Sequence, residues 1–298
     1  ENRLLLKSGR IEVSFDPLQL LWRGGITLSR VNVYQGDFWI HKENGQGTIN
    51  LNRIFRPRSS GGGGSGTSIR IRRFLLENCQ VRLEDIDDEP IDNAVNYLEG
   101  RFTRIDGENV IEVHGSSLET SYWSFGNCKL TGIFTIEGDV LRMRKTRVIK
   151  GGTDLTGDGF VDFENRTFEY KLRPGTLELL HLPPELEMRD DLFGTADISA
   201  TFDGTFDSTA VAADIALARG EIFGHHAETL SCRLRYTAGV LNFDNVSASI
   251  WRGWLAEGRL EFRFRGENQG YTVQSRARDI DIASLGVSGL DRRDARLS

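Results

Sequence analysis

Apolar residues recur at every second position along much of the chain, which is the period of a β-strand. The pattern is clearest from Arg259 to Arg265, where Leu260, Phe262 and Phe264 alternate with charged side chains. Successive side chains of a strand point to opposite faces of its sheet, so such a segment has one dry and one wet face. This predicts antiparallel strands with one face toward water. Four further segments show the alternation: Arg10–Phe15, Ser68–Arg72, Gln80–Glu84 and Thr131–Glu137.

Turn residues separate these segments at short intervals. The chain of 298 residues holds 33 glycines and six prolines, against typical contents of about 7% and about 5%. Abundant glycine between alternating segments predicts hairpins in series. The predicted turns are Glu43–Gly45, Asp106–Gly107, Glu137–Asp139, Ala238–Gly239 and Arg265–Asn268.

Helical spacing of Leu and Ile occurs only in short segments. One of them is opened by Pro90, a residue favoured in the first turn of a helix. All are too short to build a helical layer. The predicted short helices are Pro17–Arg23, Asp88–Leu98, Thr176–Leu182 and Asp279–Leu285.

Two internal repeats are present. Ile26–Ile40 matches Ile69–Leu83 at a constant offset of 43 residues. A longer unit from Val140 to Phe163 matches Val240 to Phe262 at offsets of 100 and then 99 residues. Repeats of this kind stack on their neighbours, so they predict an elongated body.

Charge and composition disfavour several classes of function. The formal net charge is −6, whereas a nucleic-acid binder needs a basic surplus. The glycines at 61, 63 and 66 lack the strand before and the helix after them that a dinucleotide site requires. His225 and His226 would point to opposite faces of a strand, and the three cysteines are far apart. We therefore expect no catalytic residue, no cofactor and no metal site.

The segment Asp154–Gly159 matches the first half of a calcium loop in the spacing of its oxygen ligands. Its twelfth position is Asn165, where a bidentate glutamate should stand, and its flanks have strand patterns instead of helical ones. A hairpin turn, which favours the same Asp and Gly residues, is the better interpretation.

The second copy of the shorter repeat, Ile69–Leu83, belongs to a longer motif. With Ile26–Ile40 and Gly47–Leu51 it resembles the amino-terminal region of the AsmA-like superfamily, which includes TamB and YhdP. Four later segments, Gly194–Ile198, Gly204, Gly220–Phe223 and Gly258–Leu260, resemble the glycine-punctuated hairpins of that superfamily. The motif consists of Ile69, Ile71, Arg73, Phe74, Leu76, Asn78, Gln80, Val81, Leu83 and Asp85.

The resemblance implies an all-β fold: an elongated, repeat-built, mainly antiparallel sheet folded over an apolar groove, like a taco, with a few short helices. It also implies bridge-like lipid transport, in which phospholipids move along the groove across the periplasm between the inner and outer membranes. The full-length protein would be anchored in the inner membrane by a helix and would meet an outer-membrane partner. No nucleic-acid partner is implied.

Apolar residues of the alternating segments have two interpretations. By pattern alone, the core of a closed sandwich is favoured, because any sheet must cover its apolar face. The resemblance favours a groove lining instead. The expected lining residues are Ile11, Val13, Phe15, Phe38, Ile40, Val81, Leu83, Phe134, Ile136, Val161, Phe163, Leu260, Phe262 and Phe264.

On this basis the chain divides into three parts. Residues 1–58 form a first strand repeat of the groove, residues 59–68 form a flexible Gly/Ser loop or linker, and residues 69–298 continue the groove repeats. Because strand patterning is already present next to Glu1, we expect a fragment whose membrane anchor and outer-membrane docking region lie outside it. The alternative function is a periplasmic scaffold or chaperone that assists assembly of outer-membrane β-barrels by pairing exposed sheet edges with client strands.

Overall fold

A computed structural model gives the structure of the chain. It describes residues 6–15, 25–41, 68–84, 91–105, 108–120, 127–181, 192–222, 225–250, 253–263 and 270–279. These residues form β-strands and one turn of 3-10 helix, which confirms the predicted all-β class. The described residues contain no helix long and apolar enough to cross a membrane.

Fifteen strands form one mixed sheet in which the hydrogen-bonded order is the order along the chain. The single 3-10 turn is Leu179–His181. The strands are β1 Leu6–Phe15, β2 Gly25–His41, β3 Ser68–Glu84, β4 Ile91–Ile105, β5 Glu108–Thr120, β6 Lys129–Glu137, β7 Val140–Lys150, β8 Thr153–Asp162, β9 Thr167–Glu178, β10 Leu192–Thr205, β11 Ser208–Ile222, β12 His225–Thr237, β13 Val240–Ile250, β14 Gly253–Arg263 and β15 Gly270–Arg278.

The chain separates into two compact units, Glu1–Tyr170 and Lys171–Ser298. The first contains β1 to β8 and the second contains β10 to β15. Within each unit the described strand pairs are antiparallel, as predicted, with one exception in the first unit, where β2 and β3 are parallel.

The parallel pair has the register of the shorter repeat. Ile26 lies opposite Ile69 and Phe38 lies opposite Val81, so each residue of β2 pairs with the residue 43 positions later. Equivalent positions of the two copies are therefore direct neighbours, and their side chains stand on the same face of the sheet.

Single residues in the left-handed region interrupt the longer strands. Gln35 in β2 and Asn78 in β3 both have φ of 53° and are equivalent positions of the shorter repeat. Lys145 in β7 has φ of 51° and Asn245 in β13 has φ of 54°, and these two are equivalent positions of the longer repeat. At Lys145 and Asn245 the register against both neighbouring strands shifts, so these two are β-bulges. At Gln35 and Asn78 the register does not shift, but the left-handed residue changes which face the following side chains occupy.

The core of the first unit forms around the left-handed residue Gln35. Val33, Cys79 and Val95 are buried together, and partly buried side chains from both sides of Gln35, including Val31 and Phe38, pack against them. A Cβ atom at Gly36 would lie 2.9 Å from Val33 Cγ1 and 3.2 Å from Phe38 Cε2. Side chains before and after Gln35 thus converge on the same point of one face.

The second unit has its own buried cluster. Ala227, Ala248 and Ile250 form it, and Leu230 and Leu255 pack against them. These residues lie on β12, β13 and β14, so apolar side chains of neighbouring strands again gather on one face.

The predicted helix at Asp88–Leu98 is wrong. Residues from Ile91 onward form β4, which pairs with both β3 and β5. The register of β4 against β5 shifts between Val95 and Tyr97, so Val95 and Leu98 stand on one face although they are three residues apart. This bulge in a strand imitates helical spacing.

Other local predictions have different outcomes. The Glu137–Asp139 and Ala238–Gly239 hairpins are confirmed, and the second has φ of 51° and 81° at its two turn residues, as type I′ turns require. The Thr176–Leu182 segment is a strand up to Glu178 and then a 3-10 turn. The segments Pro17–Arg23, 280–285 and 59–67 and the turns at Glu43, Asp106 and Arg265 lie outside the described residues.

Glycines at two positions of the β4–β5 hairpin test the tightness of the sheet. A Cβ at Gly100 would lie 2.0 Å from the Glu112 carbonyl oxygen and 2.8 Å from the Phe74 ring. Overpacking of this kind lowers the free energy of unfolding by about 1–3 kcal/mol. Gly100→Ala should therefore lower the urea concentration at the midpoint of unfolding. At Gly115 the nearest atom would be 3.6 Å away, so Gly115→Ala should leave the midpoint nearly unchanged. Equal midpoints for the two variants would contradict this packing.

Candidate functional site

The first unit has an apolar face, defined as the face that carries Val33, Cys79 and Val95, and here called the first apolar face. Rows of apolar side chains continue across it from strand to strand. Ile111 of β5 lies opposite Phe134 of β6, which lies opposite Met143 of β7. Since directly opposite residues project to the same side, these rows extend the cluster across the unit.

The outer end of this face is open. Ile11 and Val13 lie opposite Val33 and Val31 and so share their face. Ile11 and Val13 are 50% exposed and Phe15 is 53% exposed. Three large apolar side chains of β1 therefore stand in solvent beside neighbours that are buried or partly buried.

Most other predicted lining residues of the first unit occupy the same face. Phe38 lies opposite Val81 on the parallel pair, and Ile136 and Val161 both lie opposite Leu141. Phe134 belongs to the row through Ile111. Ile40 and Leu83 are also opposite each other in the backbone register, but their side chains lie outside the described part. Phe163 follows the end of β8, and its N–H donates to the Asp139 carbonyl at 3.0 Å.

The second unit has an equivalent face, here called the second apolar face. Leu260 lies between Phe243 and Val273, and Phe262 lies opposite Leu241. The Phe243 and Phe262 rings meet edge to face with centroids 6.1 Å apart. Phe264 lies outside the described residues. Small buried side chains also occupy this face, at Ala196, Ala200, Ala213, Ala227 and Ala248.

A cavity of about 420 Å³ lies in the second unit. Three of its lining residues, Ile198, Ile215 and Cys232, form one row across β10, β11 and β12. Burial, aided by the charge of Asp214, raises the pKa of Cys232 to about 11, so this thiol stays neutral and serves as an apolar side chain. The cavity is lined by Pro174, Asp197, Ile198, Ser199, Asp214, Ile215, Ala216, Ser231, Cys232, Arg233 and Asn245.

The opposite faces of both units carry charged side chains, several of them in ion pairs. In the first unit Arg73 Nη2 lies 2.8 Å from Glu99 Oε2 across β3 and β4. In the second unit Arg233 Nε lies 2.8 Å from Asp214 Oδ1, and Asp244 accepts from Arg235 on one neighbouring strand while lying 3.5 Å from Arg259 on the other. Exposed pairs of this kind contribute little stability, but they keep each charge on the wet face.

Sequence reasoning missed two polar residues on the first apolar face. Arg104 of β4 lies opposite Asn109 of β5, and Asn109 lies opposite Ile136 of β6. A signal for them existed, because Arg104 follows the buried Phe102 at the strand period, and this period places both residues on the same face.

The interpretation of Asp154–Gly159 as a turn is wrong, because this segment is the interior of β8. Its glycines allow close approach of neighbours: the Thr146 hydroxyl donates to the Gly157 carbonyl at 2.8 Å, and a Cβ at Gly159 would lie 2.3 Å from the Glu169 carbonyl oxygen. No group of three His, Cys, Asp or Glu side chains that could hold a metal ion occurs among the described residues.

The carboxylates of this segment are held by donors of the protein itself. Arg147 Nε donates to Asp154 at 2.7 Å and holds the pKa of Asp154 below its usual value. The backbone N–H of Lys145, in the β7 bulge, donates to Asp158 at 2.8 Å. Each acidic group therefore already has a partner on β7.

Comparison of the chain with protein-family models, with curated proteins and with solved structures gives no match.

The carboxylate of Asp158 gives a structural prediction in place of a calcium site. Asp158→Ala removes the acceptor of the Lys145 N–H, so it should destabilise the first unit by about 1 kcal/mol. Asp203→Ala, at an exposed position of β10, should have no measurable effect. Calcium at micromolar concentration should leave the melting temperature of the wild-type protein unchanged. A calcium-dependent rise that Asp158→Ala abolishes would refute this assignment.

Proposed function

We propose that this protein binds phospholipids by their acyl chains along its apolar faces and transports them as part of a bridge across the periplasm. The observation that carries this proposal is a sheet with one charged face and one apolar face, the latter with aromatic and aliphatic side chains that remain half-exposed. Among the described residues no second sheet and no α-helix supplies a covering layer for those faces. The acyl chain of a lipid is apolar, so it is chemically suited to cover these faces.

The left-handed residues of β2 and β3 support a groove. Val33 and Phe38, on opposite sides of Gln35, both approach Gly36, so β2 bends toward its apolar side at this point. Asn78 is the equivalent left-handed residue of β3, in register with Gln35. Bends aligned on neighbouring strands would curve the sheet into a trough with the apolar side chains inside.

The energetics favour a trough over free diffusion. Each CH₂ group of an acyl chain loses about 0.8 kcal/mol of favourable burial when it enters water. Contact with Phe, Leu, Ile and Val side chains removes most of that cost, while the headgroup stays at the wet edge. Sliding then requires no covalent chemistry, and any energy source would belong to another component.

One observation favours the scaffold function as a second candidate. β1 lies at an end of the strand order, and its residues from Gly9 to Phe15 are exposed. An open strand with exposed apolar side chains can accept an added strand from an unfolded client. A scaffold would bind segments of unfolded outer-membrane barrels and would purify without lipid.

The alternation of successive side chains of β14 between the two faces of the sheet provides the direct test. A photo-crosslinking residue at position 262, on the second apolar face, should capture phospholipid when the protein is purified from membranes. The same residue at 261 or 263 should not, because neighbouring side chains of a strand point to opposite sides. Mass spectrometry of the crosslinked products and of organic extracts identifies the lipid.

A charge on the same face gives the complementary test. Phe262→Asp should block lipid passage between donor and acceptor vesicles, since an unpaired carboxylate raises the cost of moving tails past it. The fold should survive, because Phe262 is only partly buried, and Glu261→Gln is the matched control. The proposal fails if Phe262→Asp unfolds the protein, position 262 captures no lipid and the purified protein contains none.

A further inference from the structure

Charge is distributed unequally on the two apolar faces. Among the described residues, the charged side chains on the first apolar face are Arg104 and Lys150, and both are basic. Lys150 lies opposite Thr153, and its positive charge partly offsets the rise in the pKa of Cys128 that burial causes. The rows of the second apolar face contain no acidic or basic residue in their described part. The first face thus favours an anionic group, and no carboxylate opposes it there.

Arg104 differs from the paired arginines of the first unit. Arg73 and Arg147 have carboxylate partners at 2.8 Å and 2.7 Å on the polar face. Within the described part of the chain, no carboxylate and no hydrogen-bond acceptor pairs with Arg104, which is partly buried beside Phe102. Removing a guanidinium from water without a partner is unfavourable, so a position of this kind suits an anion supplied from outside.

A second polar group stands beside it. Asn109 is only 6% exposed, and its Oδ1 atom is buried with no hydrogen-bond partner in the described structure. Leaving a buried acceptor unsatisfied is unfavourable. Its flanking residues in the row are Arg104 and Ile136, so the missing donor would come from the apolar side of the sheet.

We propose that Arg104 and Asn109 form a binding site for the headgroup of a phospholipid, in which Arg104 binds the phosphate and Asn109 Oδ1 accepts a hydrogen bond from a donor group beyond it. This inference rests on the proposed function, because the acyl chains of the same lipid lie on the adjoining rows through Phe102 and Ile136. The site would give the transported lipid a fixed stopping position.

The two groups select between headgroups. The guanidinium offers paired N–H donors that match two phosphate oxygens. An ethanolamine ammonium or a glycerol hydroxyl supplies the donor that Asn109 lacks, whereas the quaternary ammonium of choline has none. Since Oδ1 is covered in the free protein, binding requires a neighbouring side chain to move, and Arg104 is the long side chain next to it. The site therefore favours ethanolamine or glycerol phospholipids.

The test compares four probes on the full chain by native mass spectrometry and calorimetry. The probes are dioctanoyl phosphatidylethanolamine, dioctanoyl phosphatidylcholine, dioctanoylglycerol without phosphate, and glycerophosphoethanolamine without acyl chains. We expect the ethanolamine lipid to bind about tenfold more tightly than dioctanoylglycerol, the size of one charge-assisted hydrogen bond. The fragment without acyl chains should bind far more weakly than either.

Variants assign the effect to residues. Arg104→Gln should remove the preference for the phosphate-bearing lipid over dioctanoylglycerol, and Arg104→Lys should restore part of it. Arg101→Gln is the matched control, because Arg101 is on the same strand but lies opposite Glu112 on the polar face. Asn109→Leu removes the buried acceptor without leaving a cavity and should remove the preference for ethanolamine over choline.

Each remaining outcome is decisive. Equal preference in Arg104→Gln and wild type would overturn the headgroup site while leaving lipid binding intact. Tight binding of glycerophosphoethanolamine that Arg104→Gln abolishes would show a site for free phosphate esters and overturn the lipid assignment. If wild type binds neither lipid nor dioctanoylglycerol, the proposed function itself fails and this inference fails with it.

Discussion

The structure depends on keeping the apolar side chains of each strand on one face, although the alternation of apolar and polar residues is interrupted within the longer strands. A left-handed residue inside a strand can shift the alternation by one position. Without the left-handed conformation at Gln35, Val33 and Phe38 would lie on opposite faces and one of them would meet water. With it, both pack at Gly36. The backbone cost of a left-handed residue, about 1–2 kcal/mol, is offset by burying the apolar residues that follow.

The same local conformation occurs on neighbouring strands. Because β2 and β3 pair in parallel with Gln35 at the level of Asn78, both strands change faces together and neither disrupts the other's ladder. The sequence offset of 43 residues is thus the pairing register of β2 with β3. Lys145 in β7 and Asn245 in β13 are β-bulges in two separate hairpins.

Alternation predicted the strands and the turns at Gly138 and Gly239, because hydrophobic period and positive φ are local properties. It could not predict the parallel pairing of β2 with β3, which depends on contacts between distant segments. It also failed at Asp88–Leu98, where a bulge between Val95 and Leu98 produces the spacing of a helix. Arg104 was missed for a different reason: the strand period places it on the face of the buried Phe102, but a charged residue near a strand end is usually assigned to water.

An apolar face open to water carries a risk, because exposed apolar strands associate with one another. On β1 the exposed Ile11 and Val13 are separated by Glu12, which forms an ion pair with Arg10 at 2.8 Å on the opposite face. These charges stand on the polar side of the edge strand and keep that side in water without interrupting the apolar row. A sequence selected only for stability would replace the exposed residues by polar ones. Their presence beside charged neighbours, in a row that ends in the core at Val33, is the physical reason to regard the face as a binding surface.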